Sequence, residues 1–409
     1  MGDSHLEEVI PEQKPDRVLS VQVVIFIATR LVFNTSHRMV YPFLRVFAAG
    51  LGVDLTSMAF AMSARSASGM LGPFLATVAD SRGRKAGMLL GSSLFIFGML
   101  LPLIWPSFTA FVLMLILATV GYLVFIPSMQ AYVGDRVHYR RRGFVLGLTE
   151  LSWSLSFILG IPLIQLLISR WGWRGPLPLL ALLGVVGWAA ILWIVPADKA
   201  QRGIRVAWWK NFSKLLVSPL AVTGLAMGLL FSLANELVNL IFSIWLEDAH
   251  GFSLGTLAQV AVGIGIMELI GELLSTLLAD RIGKVFATAL GLFLGFAAAL
   301  SLALLAFTPV SALISLLLFY LAFEFTIVSS LPLMSEVLPG ARATLLAANI
   351  ALISLGRAIG AWAAPGVYGW GQALIPELGL TPLGANALLA AALDLVAIIL
   401  VLRLRRVEK

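Results

Sequence analysis

The chain has 409 residues, of which 60% are apolar and only 12% charged, a balance far from that of a water-soluble domain. It contains no cysteine, which excludes disulfide frameworks, thiol chemistry and iron–sulfur ligation. The formal net charge of +7 would suit nucleic acid in a soluble protein, but in a lipid-soluble chain basic residues first report sidedness, and no nucleic-acid partner is expected.

Residues 1–18 are polar, with five acids before the first apolar run (Asp3, Glu7, Glu8, Glu12 and Asp16), so they lack the layout of a cleaved signal peptide and read as a cytoplasmic tail. Apolar runs then recur, each long enough at about 1.5 Å per residue to cross a hydrocarbon layer of about 30 Å. Stretches such as Leu89 to Ile104 are apolar on every side, which rules out the alternating strands of a membrane β-barrel. The predicted spans are 19–47, 57–79, 87–105, 108–132, 144–169 and 176–195, then 219–247, 254–279, 285–307, 311–335, 343–369 and 383–402. This is an all-α membrane protein of twelve helices in two six-helix bundles, 19–195 and 219–402. Between them lies a basic, tryptophan-bearing linker, 196–218, expected along the membrane surface, and 403–409 forms a second cytoplasmic tail. Of 28 Lys and Arg, 21 fall in segments that this topology makes cytoplasmic, and only Arg170 and Arg174 lie outside. Both termini are therefore expected in the cytoplasm of a prokaryote, with the chain in its inner membrane.

The first span carries Arg30, Asn34, His37, Arg38, Tyr41 and Arg45. At 100° per residue all six occupy one sector about 100° wide, a stripe too polar to face lipid. Arg45, at the end, is expected to snorkel to the interface. His37 is a hydrogen-bonding group or, less simply, a proton relay. Arg65 in the second span either binds an anion or pairs with Glu150 or another acid of its own half. Gln130, Trp153 and Tyr122 offer hydrogen-bonding and aromatic contacts. The seventh span presents Glu236, Asn239 and Ser243, and Arg30 and Glu236 are expected either to pair across a cavity or to hold opposite ends of a substrate. Desolvation and like-charge repulsion make Glu150, Glu236, Glu268, Glu272 and Glu324 the proton-carrying candidates, Glu268 and Glu272 sharing one helical face. Glu324 and Arg357 are expected to form a structural ion pair. Asp394 in the last span is unfavourable unless it is protonated, faces another helix or mediates association. No metal site, cofactor, nucleophile–base pair or phosphate loop is expected from the four scattered histidines and the rest of the chain.

The two halves repeat. Ala79-Asp80-Ser81-Arg82-Gly83-Arg84-Lys85 follows the second span, and Ala279-Asp280-Arg281-Ile282-Gly283-Lys284 follows the eighth, about 200 residues later. Such parallel repeats imply a pseudo-two-fold axis along the membrane normal and a binding site near mid-membrane. The first of these loops resembles the signature of the major facilitator superfamily, with Ala76 and Ser81 departing from its pattern. Asp80, Gly83, Arg84, Asp280 and Gly283 would then gate the halves. Gly160-Ile161-Pro162-Leu163 and Trp171-Gly172-Trp173-Arg174 resemble the arabinose-efflux-permease-like drug:proton antiporters. The resemblance implies that the first, fourth, seventh and tenth helices line the cavity, and that transport works by alternating access. The expected activity is proton-coupled efflux of a small amphipathic molecule by a monomer in contact with membrane lipid. The alternatives are transport of an organic anion or lysolipid, and a non-transporting sensor or scaffold.

Overall fold

The computed structural model describes residues 17–75, 83–197 and 212–407. Eleven helices are long and apolar enough to span a membrane, and a bent pair, Leu44–Leu51 with Leu55–Leu75, raises the number to twelve. No strand occurs among the described residues. The predicted second span reaches residue 79, but Asp80 and the loop residues 76–82 lie outside the described residues, as does most of the 196–218 linker.

Helix ends follow local chemistry. Asp54 accepts from the Ser57 N–H at 2.8 Å and so starts the second span. This hydrogen bond holds the Asp54 carboxyl below its usual range, so the cap persists at neutral pH and is lost only as pH falls through that lowered range. Ser107, Ser218, Ser253 and Thr308 cap four further spans in the same way. The internal repeat extends to the backbone. Gly52 and Gly251 end the first and seventh spans at φ 65° and 67°, while Gly83 and Gly283 precede the third and ninth at φ 93° and 89°. Only glycine takes such angles without strain, which explains the period of about 200 residues.

Packing repeats as well. The third span lies on the fourth as the ninth lies on the tenth, the sixth on the first and third as the twelfth on the seventh and ninth, and the second on the fourth as the eighth on the tenth. The halves meet where the second span packs on the eleventh and the fifth on the eighth. At that second contact a Cβ on Gly265 would stand 2.9 Å from both the Ser154 carbonyl oxygen and the Phe157 Cβ, so only glycine permits the approach.

Two spans depart from the straight helices that the sequence suggests. The first runs from Arg17 to Arg38, turns over residues 39–43 and resumes from Leu44 to Leu51. Pro42 lies in that turn and lacks the N–H a continuous helix needs. The helical-wheel stripe therefore holds only to Arg38, and Tyr41 and Arg45 are aimed by the break. The fifth span contains a π turn at Ser156–Gly160, directly beside the residues described next.

Candidate substrate site between the halves

Burying a guanidinium at the bilayer centre costs roughly 2.5–3.5 kcal/mol even on lenient scales, so partners are the first question for each basic residue. Arg30 makes a two-pronged pair with Glu150, Nη1 to Oε1 at 2.7 Å and Nη2 to Oε2, and donates to Thr149 Oγ1 at 3.1 Å. Arg30 is buried and Glu150 is 39% exposed. Tyr122 of the fourth span lies beside this guanidinium, and Glu272 is within electrostatic reach. One turn on, Asn34 Nδ2 donates to Ser152 Oγ at 3.1 Å. Arg38 crosses to the other half, donating to Glu268 from both Nη atoms at 2.7 and 2.6 Å with both side chains 4% exposed. It also donates to the Trp153 carbonyl and lies 3.3 Å from the centroid of Phe157 and 4.4 Å from that of Trp153. The π turn widens the fifth span where these rings receive it.

A second chain of hydrogen bonds runs through the first-span break. Arg65 donates to the His37 carbonyl at 2.6 Å and to the Tyr41 hydroxyl at 2.5 Å. Tyr41 donates to Glu236 at 2.7 Å, and Asn239 donates to the other Glu236 oxygen at 3.2 Å. Tyr320 of the tenth span donates to Asn239 Oδ1 at 2.5 Å. Glu236 is fully buried, and Gly360 accommodates it: a Cβ there would lie 2.8 Å from the Glu236 Cβ.

These networks wall a small cavity of about 20 Å³, room for about one water. Its polar lining comes from His37, Arg38, Asn235, Asn239, Glu268 and Arg357, and its aromatic lining from Tyr41, Trp153, Phe157, Tyr320 and Phe323. Arg357 enters it without an ion-pair partner among the described residues, and its Nε has no hydrogen-bond acceptor. The nearest aromatic face is that of Phe323, 5.7 Å from the guanidinium carbon.

Several expectations are corrected here. Arg30 and Glu236 neither pair nor face each other. Tyr41 stands opposite Glu236, and Arg30 lies eleven residues earlier, roughly 16 Å along a helix. Among the described residues Arg65 reaches no acid of its own half and instead bonds a carbonyl and a hydroxyl. Glu324 and Arg357 form no ion pair: Glu324 turns toward the eighth span, against Gly271, whereas Arg357 opens into the cavity. Arg45, half exposed at the span end, also pairs across the halves with Glu247 at 2.9 Å and Asp248 at 2.6 Å. Gln130 does not line the cavity, and no fourth-span residue does. The fifth, eighth and eleventh spans supply Trp153, Phe157, Glu268 and Arg357 in its place, because Arg38 turns toward the contact between the fifth and eighth. Of the loop residues, Arg84 reaches Asp135 at 3.4 Å and Asp280 is exposed. Sequence reasoning missed Asn235, Phe157, Tyr320 and Phe323 as lining residues. The polar run Asn235, Glu236 and Asn239 carried a signal for the first of these, and nothing distinguished the aromatics from packing.

The hydrogen bonds and ion pairs by which Arg38, Tyr41, Arg45 and Ser63 reach the other half fall between mid-span and the end bearing Arg45, Glu247 and Asp248. Two pseudo-symmetric bundles that close around a polar, aromatic-lined mid-span cavity suit carriage of a small molecule, and a model of one protein family, described as Major Facilitator Superfamily, matches residues 26–361. The chain belongs to this superfamily. It is a secondary transporter and not an enzyme.

Superfamily relatives span different shares of the chain. The MFS-type transporter YwfA of Bacillus subtilis is 30% identical over 34% of this chain and 35% of its own length, so that match covers about a third of either protein. YbcL of the same organism is 21% identical over 77% of this chain and 78% of its own. The inner membrane transport protein YdhP of Escherichia coli is 26% identical over 85% and 89%. In fold, the chain is similar to a D-xylose-proton symporter (TM-score 0.73, 15% identity, 94% of this chain and 97% of that one). It is likewise similar to a POT family transporter solved with a thioalcohol-conjugated peptide (TM-score 0.75, 14% identity, 96% and 97%).

Proposed function

We propose that this transporter exports a small amphipathic organic anion in exchange for protons, by rocking of the two halves about the central cavity. One observation carries the substrate charge: Arg357 lines the cavity with no ion-pair partner among the described residues, Glu324 lying only within electrostatic reach. Arg38, the other guanidinium there, is already matched by Glu268, so a bound carboxylate or sulfonate would complete the cavity's charge, while Trp153, Phe157 and Phe323 would receive its apolar part. This favours an anionic amphipathic molecule and joins the first reading of the sequence to its organic-anion alternative. Export and the inner membrane rest on that resemblance and on the excess of basic residues on one side, which also supports cytoplasmic termini. Proton coupling draws support from buried carboxylates, Glu236 and Glu324 among them, that no guanidinium pairs directly.

The test is ligand-dependent thermal stabilisation of the purified protein against a panel of organic anions, organic cations, sugars and lysolipids, repeated with Arg357→Gln. Aryl carboxylates or sulfonates should raise the melting temperature, and the variant should lose that shift at least tenfold in ligand potency. Stabilisation by cations alone, or anion binding untouched by Arg357→Gln, would overturn the substrate assignment. Unchanged concentrative efflux of the anion from proteoliposomes after collapse of the proton gradient would overturn the coupling.

A further inference from the structure

A second, smaller cavity, of about 10 Å³, is walled entirely by the C-terminal half. Its walls come from the seventh, ninth, tenth and twelfth spans, and its polar groups are Asn235, Thr326 and Asp394. Asp394 is 5% exposed and makes no ion pair or hydrogen bond among the described residues. The carboxylate is seated against Gly295, where a Cβ would stand 3.0 Å from its Oδ2. Asn235, 3% exposed, has an amide nitrogen without an acceptor. Asn235 and Phe323 also line the central cavity, so the two spaces share a wall, and its polar member is an unpartnered amide.

No charged or titratable group from the neighbouring spans turns to Asp394. On the seventh span Glu236 is engaged by Tyr41 and Asn239, Glu247 and Asp248 hold Arg45, and His250 stacks on Trp245. Lys284 of the ninth span pairs with Glu336 of the tenth, where Tyr320 bonds Asn239 and Glu324 faces the eighth span. On the eleventh, Arg342 donates to the Ser335 carbonyl, Arg357 points into the central cavity, and Tyr368 lies near Arg45 and Asp248.

A carboxylate in such a place needs a positive partner, and the candidates are a metal ion and a proton. Hard metal ions require six or more oxygen ligands, whereas this cavity offers one carboxylate, one amide and one hydroxyl, with the helix carbonyls committed to their own turns. Thr326 Oγ1 already donates to the Ala322 carbonyl at 2.7 Å, leaving its oxygen free to accept from a protonated acid. We propose that Asp394 is a second proton site, reached from the central cavity past Asn235, whose loading and release sets how the twelfth span packs on the seventh and ninth. The proton comes from water in the central cavity, adds to a carboxylate oxygen and leaves by the same route, so no other reactant is required. The inference rests on proton coupling as proposed above and names a residue for it outside the substrate-lining groups.

The test uses the full chain, whose lack of cysteine allows spin labels on Ser169→Cys and Ala249→Cys at the exposed ends of the fifth and seventh spans. In liposomes of phosphatidylethanolamine and phosphatidylglycerol, infrared spectra through a pH series report protonated carboxyl groups, and the label separation reports opening. The wild type should show a titrating carboxyl band and a pH-dependent separation. Asp394→Asn should remove that band and at least halve the pH response of the separation. Asn235→Leu keeps the acid but closes the passage, and it should slow proton exchange at Asp394 at least tenfold after a pH jump, a check that stands even if Asp394→Asn folds poorly. A titrating band or full pH response retained in Asp394→Asn, or unchanged exchange in Asn235→Leu, would overturn the assignment to Asp394 while leaving proton coupling intact. A wild type without any pH response would remove the coupling itself.

Discussion

The two halves share a fold but treat buried charge in opposite ways. In the N-terminal half both Nη atoms of each buried guanidinium have acceptors, Arg30 in Glu150 and Thr149, Arg38 in Glu268 and the Trp153 carbonyl, Arg65 in Tyr41 and the His37 carbonyl, and of their nitrogens only Nε of Arg30 and of Arg65 has none among the described residues. In the C-terminal half Glu324, Arg357 and Asp394 have no ion-pair partner among the described residues. The difference teaches where to look for work. Satisfied charges hold a wall in shape, whereas unsatisfied ones leave a balance that a substrate or a proton can settle.

The contrast predicts a graded response to substitution. The largest effect belongs to Glu268→Gln, which strands Arg38 in a site where both partners are 4% exposed. Thermal and denaturant unfolding in detergent should show a loss of about 3–5 kcal/mol, and the double variant Arg38→Met with Glu268→Leu should recover much of it. Glu150→Gln should cost less, on the order of 1–2 kcal/mol, because Glu150 is 39% exposed and water screens the pair. Smallest of all, Arg357→Gln should leave stability within about 0.5 kcal/mol of wild type while weakening anion binding at least tenfold. A large destabilisation by Arg357→Gln would erase the contrast, since it would reveal a structural role on the side assigned to function.

Much of this was legible beforehand, and what was not follows from distance along the chain. The spans and the repeat follow from run length, the sidedness of Lys and Arg, and two Asp/Gly loops, each a local signal. The first-span stripe correctly marked Arg30, Asn34, His37 and Arg38 as facing away from lipid. Their partners were another matter: Glu150 is 120 residues from Arg30, and Glu268 is 230 from Arg38. Helical periodicity says which face a residue occupies but not which distant helix meets it. Glu324 and Arg357 occupy neighbouring spans at similar depth, yet they turn to different neighbours, a rotation that no spacing rule supplies. The partners of Arg45, Glu247 and Asp248, lie about 200 residues away and past the break at Pro42, beyond the reach of the wheel.

The position of the Arg38–Glu268 pair has a mechanical consequence. Halves that rock about mid-membrane move least near the axle and most at the rim. In the rocking motion proposed above, Arg45 with Glu247 and Asp248 would sit on a long lever arm, so those contacts would part when that end opens. Arg38 and Glu268, joined near the fulcrum, swing through a far smaller arc, and two parallel hydrogen bonds tolerate it as a pivot pin tolerates rotation. The strongest bond between the halves is therefore the one that the transport cycle has least need to break.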